Sequence, residues 1–398
     1  MLYSQKFDTY ICEDKRFSRS DLATKTVRAD FTPQTRLSRK SAQEYPDGRF
    51  KNRPRLSSLQ IEITGRCNER CVHCYIPREN KTGDISPGLF RETLEQSRDI
   101  GVLNLTLSGG EPMLHKNFCE FLEKATEYGF KISIFSNLTL INDKIVEALK
   151  KSNVKTLQAS VYSLDAQIHD AITNLSGSLE KTIKNIKRLI DEQIPLFISC
   201  PIMKENKNSY IDVLKWAKSL GIGCAPTGLI LSVSDFSLSN LRHRQSIDEA
   251  LNLISSILEN DEEAYKHGRF SPHSAHVNNF QEQFIDVYRH ALAVNAGGNL
   301  IPAAAWNYVL GNLNENTLSD ILENSSELKK LLNLTVEDFP KCKNCVSAKF
   351  CGMCLGANAN DNSGDYLKIP DYVCELADKT RKLVHNWWTE NNYFTKEG

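Results

Sequence analysis

The chain carries no net charge, since 49 basic side chains balance 49 acidic ones across 398 residues. That balance excludes the broad cationic face with which a protein holds nucleic acid or an anionic membrane. Long hydrophobic runs are missing as well. No stretch approaches the roughly 18 apolar residues of a membrane helix, and the N-terminus, Met1-Leu2-Tyr3-Ser4-Gln5-Lys6, lacks the apolar core of a secretory signal. The expectation is a cytoplasmic protein with neither a membrane nor a nucleic-acid partner. Cysteine is not scarce. There are twelve, most of them in two tight clusters, which in a reducing compartment argues for metal ligation over disulfides.

The first cluster lacks a fourth ligand. Cys67, Cys71 and Cys74 lie in Ile63-Thr64-Gly65-Arg66-Cys67-Asn68-Glu69-Arg70-Cys71-Val72-His73-Cys74-Tyr75, after an alternating run (Leu59, Ile61, Ile63) that reads as a strand. Structural zinc closes its shell with four protein ligands, so a lone C-x3-C-x2-C triplet makes a poor zinc knuckle. Three thiolates on an iron–sulfur cluster leave one iron open to a small molecule. At this spacing after a strand, the triplet resembles the signature of the radical S-adenosylmethionine (AdoMet) enzymes. The resemblance implies a [4Fe-4S] cluster that binds the methionine end of AdoMet and reduces it to a 5′-deoxyadenosyl radical, fed by a reductant such as flavodoxin or ferredoxin. The rival reading is three unrelated buried cysteines or a metal knuckle.

From Leu56 to about Ser232 short β-like runs alternate with amphipathic helical ones. Helices are expected over 86–99, 117–128, 142–151, 179–190 and 210–220. Strands are expected over 103–107, 131–135, 156–161, 196–200 and 222–231. This pattern predicts an α/β fold, a partial (β/α)6 TIM-type barrel with its functional groups on loops at the C-terminal strand ends. Residues 1–55 read as an irregular basic segment, too short and polar for a leader-binding winged helix, so leader binding would need a separate protein. Residues 233–290 read as a connecting region with a helix over 247–258. His267, His273 and His276 read as solvated loop histidines, with no thiol or carboxylate beside them. Residues 291–398 hold an expected hairpin turning at Gly297-Gly298, a helix over 317–332 and a last helix over 374–388.

Ser108-Gly109-Gly110-Glu111-Pro112 follows the second strand. Glycines allow close backbone approach to a ligand and the glutamate is an acceptor for an ammonium group; placed one βα unit after the triplet, the motif matches the family element that holds the AdoMet amino group. The resemblance further implies cofactor contacts at Ser136, Asn137 and Ser160, and at His73, whose backbone would meet the adenine. At Thr173 the family carries an arginine that grips the cofactor carboxylate, and threonine cannot supply that charge.

The second cluster runs Cys342, Cys345, Cys351, Cys354, with a distant Cys374. Four cysteines in thirteen residues satisfy a zinc ribbon. The flanking Leu310-Gly311-Asn312-Leu313 and Leu318-Ser319-Asp320-Ile321-Leu322 resemble the approach to the SPASM extension of radical enzymes that modify peptides and proteins. That resemblance implies that Cys342, Cys345, Cys351 and Cys374 hold an auxiliary [4Fe-4S] cluster. It also implies a second auxiliary site that is lost, because alanines stand at Ala291 and Ala303, leaving Cys354 an orphan with a doubtful ligand role. Ala304 stands where sulfatase-maturing members carry aspartate. Cys200, at the end of the fifth strand, is expected to point to the barrel mouth and donate a hydrogen atom or bind substrate, although a lone buried cysteine is more often packing. The resulting expectation is an enzyme that abstracts hydrogen from a ribosomal peptide or protein side chain and leaves a cross-link or other modification. The alternatives are a sulfatase or quinone-cofactor maturase, and a non-enzymatic iron–sulfur or zinc-binding partner.

Overall fold

The computed structural model describes residues 56–261 except Arg78, positions 264, 270 and 280, residues 284–391, and the backbone of two short paired strands, β1 (Leu2–Ser4) and β2 (Thr9–Ile11). The histidines at 267, 273 and 276 lie outside the described residues. Six parallel strands follow in sequence order, β3 (Ser58–Thr64), β4 (Asn104–Gly109), β5 (Lys131–Ser136), β6 (Val154–Ser160), β7 (Leu196–Pro201) and β8 (Gly223–Thr227). The helices between them are α1 (Pro87–Asp99), α2 (Phe118–Glu127), α3 (Asp143–Lys150), α4 (Ala166–Thr173), α5 (Ser178–Asp191) and α6 (Tyr210–Ser219). Local chemistry sets their starts: Ser86 Oγ accepts from Leu89 N at 3.1 Å with Pro87 in the first turn, and Asn142 Oδ1 accepts from Ile145 N at 3.0 Å. The short α4 is an element the sequence pattern did not mark.

Strand phase divides the sheet into two faces. Leu59 and Ile61 pair in register with Leu105 and Leu107, and with Ile63 they pack under the helices, fully buried. The alternate positions, Gln60, Glu62, Thr106, Ser108, Ser133, Gln158, Ser160 and Ser199, share the opposite, largely polar face. A filled barrel core is built from bulky branched residues; this lining instead suits a chamber for polar groups.

Cys200 is a correction. It is in phase with Ile198, is 0% exposed, and directs its thiol to the Tyr162 carbonyl at 3.8 Å. It therefore belongs to the apolar core beneath the helices and does not face the barrel mouth, where Ser199 stands. The expected radical donor is a packing residue.

The C-terminal part is joined to the same sheet. β9 (Ala291–Val294) pairs parallel to β3, and β10 (Asn299–Ile301) and β11 (Gly311–Asn312) extend it antiparallel, giving nine strands in the order β11-β10-β9-β3-β4-β5-β6-β7-β8. Around it lie α7 (Ile247–Asn260), α8 (Val287–His290), α9 (Leu318–Asn324), α10 (Ser326–Leu332), α11 (Leu355–Asp361) and α12 (Asp371–Glu390). The single helix expected over 317–332 is broken because Ser325 leaves the helix to cap α10, its Oγ accepting from Leu328 N at 3.2 Å. Among the described residues no helix is long and apolar enough to cross a membrane.

Candidate active site

The cysteine loop leaves β3 at its C-terminal end and is fixed on three sides. At its entry Arg66 forks onto Asp84, with Nε donating at 3.0 Å and the terminal nitrogen at 2.8 Å, while Thr64 Oγ1 donates to the same carboxylate at 2.6 Å. Along one flank Arg70 N and Val72 N donate to the carbonyls of Thr173 and Ile172 at the end of α4, each at 2.9 Å. On the other flank Asn240 Nδ2 donates to the His73 carbonyl at 3.2 Å and Ser234 N to the Tyr75 carbonyl at 2.9 Å. Thr173 is thus a structural anchor: it is fully buried, its hydroxyl lies 2.7 Å from that of Ser178, and it is not a cofactor-carboxylate ligand.

Cys67, Cys71 and Cys74 are free thiols on this loop. Burial pushes Cys67 up to about 11 and Cys71 well above its ordinary range, the latter also through Glu69, Cys74 and Cys67. A cavity of about 420 Å³ opens beside Cys71 and Cys74. Among the described residues no three Cys, His, Asp or Glu side chains close on one point as a single metal ion requires. Three unpaired thiols beside an open cavity are a donor set that fits a cluster left with one open iron.

The Gly-Gly-Glu turn packs against the start of the cysteine loop. A side chain at Gly109, whose φ is +137°, would sit 2.1 Å from the Thr64 carbonyl oxygen, and one at Gly110 would sit 2.3 Å from that of Arg66. The glycines are required so that this turn can dock on the entry to the cysteine loop, where Gly110 N and Glu111 N donate to Thr64 and Arg66 carbonyls at 2.8 Å. Glu111 is buried and accepts from Met113 N (3.1 Å), Ser136 Oγ (2.9 Å) and Asn137 N (2.8 Å). Both carboxylate oxygens are thereby engaged, so this side chain fixes Ser136 and Asn137. Burial pushes Glu111 up to about 7 against those donors. Asn137 continues the linkage, donating to Asn68 Oδ1 at 2.9 Å inside the cysteine loop.

Several participants were not legible in the sequence. Tyr162 donates to Cys71 Sγ at 3.8 Å and sits 3.1 Å from His73 Nε2. Burial holds His73 down to about 4, hence neutral. Ser160, at the end of β6, lies beside Tyr162. Glu69 is 3% exposed, takes the Cys71 thiol on Oε2 at 3.3 Å and leaves Oε1 without a partner. Glu62, on the polar face, lies beside Tyr75, leaves Oε1 unpartnered, and is pushed by burial up to about 7. It shares a cavity of about 330 Å³ with Ala304 and the β9–β10 turn. Glu62 had one signal in the sequence: a charged residue inside an otherwise apolar alternation.

In the second cluster burial, and then Cys351, Cys345 and Cys374 near it, push Cys342 up to about 11. Burial, and then Cys354, push the hydroxyl of Tyr288, three residues before Ala291, well above its ordinary range, so Cys354 lies beside Tyr288.

Comparison with known proteins agrees with this geometry. Residues 61–217 match the model of the radical SAM superfamily, and residues 286–346 match that of the SPASM iron–sulfur cluster-binding domain. The chain is a radical SAM enzyme with a SPASM domain. It is 25% identical over 341 residues to an AdoMet-dependent heme synthase of Methanosarcina barkeri, spanning 81% of this chain and 96% of that one. It is 26% identical over 322 residues to the subtilosin biosynthesis protein AlbA of Bacillus subtilis, spanning 76% and 68%. Among solved structures, Streptococcus suis SuiB bound to its precursor peptide SuiA superposes with a TM-score of 0.63 at 17% identity, over 80% and 76% of the chains. The anSMEcpe complex with AdoMet and the Cp18Cys peptide gives 0.66 at 15% identity, over 84% and 99%. These two likenesses show the fold. Membership entails a [4Fe-4S] cluster with AdoMet and auxiliary iron–sulfur ligation.

Proposed function

We propose that this enzyme abstracts hydrogen from a ribosomally made peptide, or from a protein side chain, and leaves a cross-link or related modification. The observation that carries the reading is the three-thiol loop beside its cavity, on a polar-faced partial barrel whose sheet is continued by the SPASM strands. Likeness to the bacteriocin and killing-factor maturation proteins of Bacillus subtilis supports the substrate class.

In this reading Cys67, Cys71 and Cys74 hold the cluster, which with AdoMet supplies the 5′-deoxyadenosyl radical. Gly109, Gly110 and Glu111 shape the wall next to it, Glu111 acting by holding Ser136 and Asn137. Tyr162 and neutral His73 fix the rim around Cys71, and Ser160 lines the polar face beneath. Cys342, Cys345, Cys351 and Cys374 hold one auxiliary cluster. Glu62 is the acid that faces the substrate chamber from β3, across from Ala304. A flavodoxin-like or ferredoxin-like reductant and a separate leader-binding protein complete the system.

A second reading, action on a heme precursor, is favoured by the near-complete coverage of the heme synthase relative. Anaerobic incubation with AdoMet, dithionite and a short peptide, taken from any small open reading frame found beside this gene, separates the two. Loss of a hydrogen pair from the peptide, by mass spectrometry, is the expected result. An unaltered peptide together with consumption of a porphyrin precursor would overturn the peptide reading.

A further inference from the structure

A cavity of about 680 Å³ lies on the outer side of the sheet, away from the cysteine loop. Its walls come from β8, α7, α12 and the auxiliary cysteine loop. They are mainly apolar, with Leu253, Ile254, Ile257, Phe350, Val373 and Leu376 among them. Yet three buried polar groups in the same wall have no partner. Gln245 is 2% exposed, and neither its amide nitrogen nor its amide oxygen is hydrogen-bonded. The hydroxyls of Tyr210, 1% exposed, and Tyr372 are likewise unpartnered. Buried polar groups in a folded protein are normally satisfied, and an unmade bond is costly. A side chain kept inside with both donor and acceptor idle points to a ligand that supplies the complement.

The complement of a primary carboxamide is a group presenting an acceptor and a donor side by side, as the N–H and C=O of one residue in an extended chain do. Beside it, β8 is the last strand of the sheet and, among the described residues, pairs only with β7. Pro226 stands in that strand, as proline does at edges, where no ladder bond is asked of it. An unpaired edge invites an extended peptide, whose alternate side chains need pockets. Among the described residues of the wall the one acidic group, Asp261, is already paired with Lys218 at 3.0 Å, so an uncharged side chain suits the cavity.

We propose that this cavity is a docking subsite for an extended apolar segment of peptide, with the backbone N–H and C=O of one residue read by Gln245 and one aliphatic side chain seated between α7 and α12. The proposal rests on the peptide reading above and adds where a non-reacting part of that substrate is held. The auxiliary cysteine loop in the cavity wall would place that segment alongside the SPASM domain.

The test uses the full, iron–sulfur-loaded chain and N-acetyl-L-leucine methylamide as probe, with 3-methylbutyl acetate and uracil as controls, titrated by ligand-detected NMR. Saturable binding of the leucine amide is expected, weakened at least tenfold in Gln245→Leu and abolished by the cavity-filling Leu253→Trp. Formation of 5′-deoxyadenosine without peptide should stay unchanged in Gln245→Leu. That variant should also melt higher than the wild type, because two idle polar atoms leave the interior. Equal binding of 3-methylbutyl acetate, preference for uracil, absence of saturation, or a lower melting temperature in Gln245→Leu would each overturn the proposal. Probe binding is read without turnover, so a chain that modifies peptide but ignores the probe refutes the subsite alone. A chain that binds the probe but modifies no peptide refutes the reaction alone.

Discussion

Arg244 and Asp361 join the segment after β8 to the end of α11, and replacing Asp361 by asparagine should be the most damaging conservative change outside the active site. The guanidinium forks onto the carboxylate, at 2.8 Å and 3.2 Å, with side chains only 9% and 7% exposed. Arg244 Nε also donates to the Ile230 carbonyl at 2.8 Å, and Ser232 Oγ donates to Asp361. Removing the negative charge leaves a buried cation uncompensated, which costs about 3–5 kcal/mol, a large share of the roughly 5–15 kcal/mol that holds a domain together. Arg244→Met combined with Asp361→Leu removes both charges and should recover most of that loss. Urea denaturation of the iron-free chain, followed by circular dichroism, reads both quantities. The reasoning fails if Asp361→Asn unfolds within about 1 kcal/mol of the wild type, or if the double variant is as unstable as the two single losses summed.

Other outcomes follow from single contacts. Gly110→Ala drives a methyl into the Arg66 carbonyl, so it should cost about 1–3 kcal/mol in thermal unfolding and weaken AdoMet binding measured by calorimetry. Burial lifts Glu111 from 4.5 in the free state to about 7, so the folded form is favoured fully below pH 4.5 and progressively less as pH rises to 7. That loss amounts to about 3 kcal/mol, and Glu111→Gln should flatten this part of the stability profile of the iron-free chain. Glu62→Gln should reduce peptide modification at least tenfold while leaving 5′-deoxyadenosine formation intact, measured in one assay by mass spectrometry and chromatography. Ala291→Cys with Ala303→Cys should raise bound iron by roughly four atoms per chain, and an unchanged iron content would mean that Cys354 and this hairpin do not form a lapsed cluster site.

What the sequence disclosed and what it hid follow from chain separation. The cysteine triplet and the Gly-Gly-Glu turn are local patterns, and each follows a strand as the spacing predicts. Tyr162 against Cys71 spans 91 residues, Arg244 against Asp361 spans 117, and the pairing of β9 with β3 crosses most of the chain; no local pattern carries them. Cys200 was misassigned through phase, since a shift of one residue along β7 exchanges the core face for the polar face. The assignment of Cys374 in place of Cys354 as fourth ligand rests on the family resemblance, because spacing alone favours the four consecutive thiols.

The central claim is that the thiols at 67, 71 and 74 hold a cluster on which AdoMet is cleaved. Anaerobically reconstituted wild type and Cys71→Ala, each reduced with dithionite in the presence of AdoMet, should differ completely in 5′-deoxyadenosine: turnover in the first and none above background in the second. Equal product from both would contradict the account.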